Sequence, residues 1–302
     1  MGKADGVTRA YMRENEIFAD AFNFYIYNGK QVIDPEQLQP LDTAEIATPF
    51  GGTEGEEIVQ KYRDVLKSVT IKQDARTTYL LLGIEDQTRI HYAMPVRNII
   101  YDALQYGKQV EEIARKHLKQ EDHRGHSGDE YLSGLYKEDK IVPVITLVIF
   151  FGAKKWDDPL SLHEMMEEQP PEIMDLVQDY KIHLIQPATL TDEDLEKFQT
   201  SMREVMSFIK YSKDKGKIKS LLKDNPRFRG LRREAAMVID EYTNMEFAFD
   251  EEESVNMCEG VQGLIDDAVE ENIVENVKNL MKNMSLTMEQ AMDALGLSKE
   301  KK

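Results

Sequence analysis

The segment VPVITLVIFFG, Val142 to Gly152, carries an apolar or β-branched side chain at nearly every position. Neighbouring residues of a strand point to opposite faces, so a run without polar alternation must be covered on both sides. Such a strand belongs in the middle of a sheet with helices packed over it, an α/β arrangement. This one run therefore sets the fold class, and the other elements have to be arranged around it.

The flanking patterns supply those elements. ENEIFADAFNFYIYNG repeats apolar residues at Ile17, Phe18, Ala21, Phe22 and Tyr25, a helical stripe ended by Gly29. KQVIDPEQLQPLDTAEIATPFGGTEG holds three prolines and a glycine pair and reads as an irregular connector. VQKYRDVLKSVTI and TTYLLLGIEDQ read as two strands of a hairpin turning at KQDA. HYAMPVRNIIYDALQYGKQVEEIARKHL predicts a long helix with Ile99, Ala103 and Tyr106 at core spacing. DPLSLHEMMEE predicts a short helix, and DYKIHLIQPATL a strand halted at Pro187. From Thr191 onward the pattern is helical to the end, with a long amphipathic helix over VQGLIDDAVEENIVENVKNLMKNMS. The division expected is an α/β unit over residues 1–190 and a helical region over 191–302.

Composition narrows the function classes. No apolar run reaches the length of about eighteen residues needed to span a bilayer, and the polar start MGKADGVTRAYMREN lacks a signal-peptide core. The single cysteine, Cys258, allows no internal disulfide and fits a reducing compartment, so a cytoplasmic location is expected. A net charge of −18 argues against nucleic-acid binding by the surface as a whole. Charge is uneven, however. Residues 203–234 hold eleven Lys or Arg against four acids, whereas residues 235–302 hold sixteen acids and five bases. The basic stretch is either a phosphate-tracking surface or a solvated helix pair.

The chemistry gathers at YLLLGIEDQ, Tyr79 to Gln87. A buried strand that ends in acids needs a partner for them. Strand alternation puts Glu85 and Gln87 on one face, and the preceding strand carries Asp64, which pairing brings near Glu85. Two carboxylates on adjacent strands repel unless a proton or a cation lies between them. Oxygen donors with open water positions suit Mg²⁺, with the main-chain carbonyl of Asp86 as a further donor.

An Asp followed after some twenty residues by Glu-x-Gln on the next strand resembles the PD-(D/E)XK phosphodiesterase superfamily. With the flanks QKYRDVLK, IHYAMPVRNIIYDALQY, VPVITLVIFFGAKKWDDPLSLHEMM and the LGLS tail, the chain resembles the bacterial recombination-promoting nuclease, or putative transposase, family. The resemblance runs from about Glu14 to the C-terminus. It implies a restriction-endonuclease-like core, a mixed sheet flanked by helices, and Mg²⁺-dependent hydrolysis of DNA phosphodiesters, with Mn²⁺ as a second usable metal. It makes Asp64 and Glu85 metal ligands and sets Gln87 where many superfamily members have Lys. Gln87 can orient a water but brings no positive charge. An acid on the first helix often joins the metal in the superfamily; Glu16 and Asp20 are candidates that spacing does not separate, and Glu16 is carried forward. Arg97 and Tyr101, four apart on one helical face, are candidates for contact with substrate phosphate.

Other signals weigh less. HLKQEDHRGHSGDEYL sets His117, His123 and His126 among acids, but without a Cys pair or a helical His-x-x-x-His spacing it reads as a polar loop. Trp156 reads as a packing anchor beside the long strand. The rival to a DNA endonuclease is a binding protein on a nuclease scaffold, motivated by the missing Lys, the acidity, and a C-terminal helix able to pair with a second subunit. A third reading, a transposase recombining its own ends, rests only on the family's double name.

Overall fold

The structure is a computed structural model and describes residues 3–41, 44–47, 59–62, 64–73, 76–87, 90–120, 126–245, 247, 253–284 and 287–296. Two helices open the chain, α1 (Lys3–Arg13) and α2 (Asn15–Tyr27), followed by strands β1 (Leu38–Pro40), β2 (Ala44–Ala47), β3 (Val59–Tyr62), β4 (Val65–Gln73) and β5 (Arg76–Gln87). Next come the long α3 (Met94–Gln120), α4 (Gly128–Ser133), β6 (Val144–Phe150), α5 (Pro171–Met174) and β7 (His183–Ile185). The remainder is α6 (Asp192–Leu195), α7 (Met202–Tyr211), α8 (Lys215–Asp224), β8 (Leu231–Arg232), α9 (Arg233–Thr243), β9 (Ser254–Val255), α10 (Met257–Met284) and α11 (Met288–Ala294).

The main sheet has five strands in the order β1-β4-β5-β6-β7. β4 and β5 form an antiparallel hairpin from Val65–Ile84 to Gln73–Arg76, whose turn at Asp74 and Ala75 lies outside the described residues. β5, β6 and β7 run parallel. The run Val144–Phe150 sits between β5 and β7, as its continuous apolar character requires.

Each face of this sheet has its own cover. Val65, Val69, Ile71, Leu80, Leu82, Ile84, Leu147 and Ile149 join the large core with Phe18 and Phe22 of α2, Met206 and Ile209 of α7, and Ala235 and Ile239 of α9. On the opposite face, Val148 and Phe150 pack with Met94 at the start of α3, Trp156 and Ile182. Trp156 meets the Phe150 ring edge-on at 5.4 Å, which bears out its reading as a packing anchor.

Several expectations need correction. The proline-rich connector contains two strands: β1 pairs with β4 on the sheet edge, where Pro40 is tolerated, and β2 pairs with β3. The expected strand Val59–Ile71 is two strands, since β3 leaves the main sheet before Asp64. DPLSLHEMMEE forms only a 3₁₀ turn at His163–Met165. Its backbone is drawn instead to the segment before β7, through Leu162 N–H to Tyr180 O and Ile182 N–H to Leu160 O, both 2.9 Å. The C-terminal helices are interrupted by the small β8–β9 ladder. The polar N-terminus folds as α1, whose Thr8, Tyr11 and Met12 are buried.

Candidate active site

β5, α3 and β6 form a parallel strand–helix–strand crossover, so the carboxyl ends of β5 and β6 meet the amino end of α3. Ligands of open α/β sheets bind outside such carboxyl ends. Val65 pairs with Ile84; Asp64 is the residue just before that pair on one strand and Glu85 the residue just after it on the other. On its other side Glu85 pairs with Val148, Asp86 with Ile149 and Gln87 with Phe150. For Glu85, Asp86 and Gln87 the strand backbone is described, and their side chains lie outside the described part.

Asp64 is buried, and Arg9 of α1 donates from Nη2 to its Oδ1 at 2.7 Å. The N-terminal helices thus bring a cation to Asp64. Glu16 is exposed and faces Arg232 at 3.8 Å, while Arg232 also pairs with Glu14 at 2.5 Å. Asp20 is consumed by the chain itself, accepting from the backbone N–H groups of Gln199 and Thr200 and from the Thr200 hydroxyl. Neither of these acids is shown meeting Asp64.

Arg97 and Tyr101 do come together. The Arg97 Nε donates to the Tyr101 hydroxyl at 2.9 Å, with the guanidinium 5.5 Å from the ring centre. Tyr101 is buried, so it anchors a half-buried Arg97 near the amino end of α3.

Sequence reasoning missed the inward stripe of α3. Met94, Asn98, Tyr101, Asp102, Leu104 and Gln105 are buried, while Ala103, assigned to the core from its spacing, is exposed. Polar residues hold the inward positions because β6 and its neighbours give most of them partners. Asp102 accepts from Thr146 Oγ1 and from the Tyr180 hydroxyl, both at 2.6 Å. Tyr106 accepts from Val144 N–H, and Gln109 brackets both backbone groups of Val142. Asn98 is the exception: it is fully buried, and neither amide atom has a hydrogen-bond partner among the described residues.

Just beyond β6, Asp158 has both carboxylate oxygens buried without partners. Burial holds its carboxyl above the usual range, aided by Asp157 and opposed by His91. Lys67 is the buried lysine of the hairpin. It donates to Arg13 O at 2.6 Å and Asn15 Oδ1 at 2.5 Å, 4.7 Å from the Phe18 ring centre.

Carboxylate residues of the Asp and Glu type at neighbouring strand ends are the donor chemistry that suits a divalent cation such as Mg²⁺. A second cluster fits one less well. Ligand atoms of His126, Glu130 and Glu138 lie within 4.8 Å of one another. Both Glu130 oxygens already accept backbone N–H groups, from Ser127 at 2.7 Å and Lys137 at 3.0 Å, which hold its carboxyl down at about 2. His126 turns different ring nitrogens toward the two glutamates and stacks on Tyr136, so the cluster reads as the cap of α4. His123 lies outside the described residues.

The basic stretch forms part of the surface around α8. Lys213, Lys215, Lys217, Lys219, Lys223 and Arg229 are exposed, while Ile218 and Leu222 face inward. No described helix is long and apolar enough to cross a membrane.

A family model described as "Putative transposase, YhgA-like" matches residues 5–229, most of the chain. No curated protein matches the chain. No solved structure matches it either.

Proposed function

Because the chain belongs to the YhgA-like putative transposase family, we propose that it is a metal-dependent DNA endonuclease on a PD-(D/E)XK-like core, serving recombination or a mobile element. One observation supports this reading above the rest: the last pair of the hairpin register, Val65 with Ile84, leaves Asp64 and Glu85 as the next residues on neighbouring strands at the carboxyl end of β5. In the proposal Asp64, Glu85 and the Asp86 carbonyl hold Mg²⁺ or Mn²⁺. The bound cation would supply an activated water and offset charge on the phosphate.

The chain's own groups do the rest. Gln87 orients the attacking water. Arg97, steadied by Tyr101, meets a phosphate oxygen through its guanidinium fork. Arg9 holds the Asp64 carboxylate in position and adds positive charge that Gln87 lacks. Residues 1–190 carry this unit, and the exposed lysines of segment 203–234 in the helical region 191–302 track the DNA backbone. A cytoplasmic location, and pairing of subunits through the C-terminal helices, complete the proposal.

The second reading is a binding module on the same scaffold. It is favoured by the Arg9–Asp64 ion pair, which already neutralises one of the two acids. Plasmid nicking separates the two. The nuclease reading expects Mg²⁺- or Mn²⁺-dependent nicking that Asp64→Ala and Glu85→Ala abolish. A folded wild type that nicks with neither metal would transfer the case to the binding module.

A further inference from the structure

The stripe Ile99, Ala103 and Tyr106 on α3 reads as core from its spacing, yet these residues line an open cavity. With Asp102 they share one helical face, three and four residues apart. Val144 at the start of β6 and Tyr180, Lys181 and His183 around the start of β7 complete the lining. The volume is about 290 Å³, at the lower end of the roughly 300–1,000 Å³ of small-molecule pockets. This cavity is separate from the strand ends that carry Asp64 and Glu85. Val144 precedes Val148, the partner of Glu85, by about 13 Å along the strand.

Asp102 gives the cavity its sign. It keeps 8% exposure, and its oxygens accept from the Thr146 and Tyr180 hydroxyls, both at 2.6 Å. Those bonds hold the carboxylate in place, and with about four acceptor positions it can take further donors. It accepts only, so whatever it meets in the cavity must donate. The basic groups of the lining do not reverse the sign. Lys181 is exposed, and its ammonium lies 4.0 Å from the Asp179 carboxylate. His183 Nδ1 is hydrogen-bonded to the Tyr25 hydroxyl at 3.1 Å, and burial holds its imidazole below the usual range, against the pull of Asp102. Near neutral pH His183 therefore brings no positive charge. Tyr106 and Tyr180 add aromatic rings, whose faces attract cations.

We propose that this cavity binds a small organic ammonium ion, whose N–H groups donate to Asp102 and whose apolar body lies along Ile99, Ala103 and Val144. A metal ion would call for more oxygen ligands than the one carboxylate of the lining supplies. The apolar stripe of α3 suits a carbon skeleton, and the volume limits it to a small one. The assignment stands apart from the nuclease reading and does not depend on it.

The test is calorimetric titration of benzylamine, protonated at neutral pH, into the full chain, Asp102→Asn and Ala103→Phe. Benzyl alcohol and benzoate serve as the uncharged and negative controls, and a melting curve checks the fold of each protein. Wild type is expected to bind benzylammonium saturably and about tenfold more tightly than benzyl alcohol. Asp102→Asn should reduce the two to equal affinity. Ala103→Phe fills the cavity from an exposed position, leaves the bonds of Asp102 intact, and should weaken benzylammonium about tenfold. It keeps the test decisive if Asp102→Asn misfolds. It also locates the binding, since a chain of net charge −18 attracts amines over its whole surface. Three results would each overturn the assignment: no saturable binding by folded wild type, equal affinity for either control, or unchanged affinity in Ala103→Phe.

Discussion

Two buried polar side chains on opposite faces of the five-stranded sheet, Lys67 and Asn98, are treated in opposite ways. On the face covered by α1, α2, α7 and α9, Lys67 is almost inaccessible but fully engaged, with two oxygen acceptors and the Phe18 ring around its ammonium. On the face covered by α3, Asn98 is equally buried and has no hydrogen-bond partner among the described residues, and beyond β6 Asp158 is in the same condition. The first pattern is what stability selects, since a satisfied buried group fixes register at little cost. The second lowers stability. The contrast is one of positions, since Asp102 on the α3 face is fully paired while Glu204 of α7 keeps one oxygen without a partner among the described residues.

The largest expected effect is at the core on the Lys67 side of the sheet. Phe18→Ala removes a fully buried ring between α2 and the sheet and is expected to cost about 3–5 kcal/mol in chemical denaturation. A cost below that of an ordinary surface change would show that this face does not carry the fold.

Lys67→Met keeps the stem and deletes the ammonium. It leaves Arg13 O and Asn15 Oδ1 without their donor, at a cost of about 1–3 kcal/mol near neutral pH. Burial pushes the Lys67 ammonium down to about 8, against the pull of Glu14. Between that value and the ordinary lysine range the unfolded chain holds a proton the folded chain has released, so wild-type stability should rise with pH across this window. The variant should lack the rise. Parallel pH curves for the two proteins would show that Lys67 does not titrate in this way.

Two predictions address the carboxyl end of the sheet. Arg9→Gln removes the guanidinium from Asp64 and should tighten Mg²⁺ several-fold while slowing nicking, because the ion pair opposes a second cation at the same carboxylate. Titration calorimetry and nicking rates read the two effects separately, and loss of both together would make Arg9 purely structural. Asp158→Asn should have the smallest effect, a slight rise in melting temperature. With its carboxyl held above the ordinary range, Asp158 favours the folded state while protonated, and that contribution is lost as pH rises through the folded value. Melting curves across mildly acid pH should be flatter in the variant.

How much of this was legible in the sequence follows the same division. The run through Phe150 announced a central covered strand, and the hairpin carrying Asp64 and Glu85 was readable because apolar alternation fixes register. The stripe of α3 was misjudged because its inward positions are polar. Apolar periodicity points to Ile99, Ala103 and Tyr106; Tyr106 does meet β6, but Ala103 is exposed and the buried positions of α3 include the polar Asn98, Asp102 and Gln105. A polar break in an otherwise core-facing stripe was the available signal for Asn98. Arg9 and β1 had no such signal: their positions depend on partners far away in the chain, Asp64 and Val69. The segment around Ser161 was pulled from helix by backbone pairing to the residues before β7, which local propensity cannot register.

The central claim is that Asp64 and Glu85, brought together only by the hairpin register, share one divalent cation. Its most direct test is Mn²⁺ binding followed by electron paramagnetic resonance in wild type, Asp64→Ala and Glu85→Ala, with folding checked by circular dichroism. The account predicts one tightly bound Mn²⁺ in wild type and its loss in each single variant, because neither carboxylate holds the ion alone. Retention of that Mn²⁺ in both variants, or its absence from folded wild type, would contradict the claim.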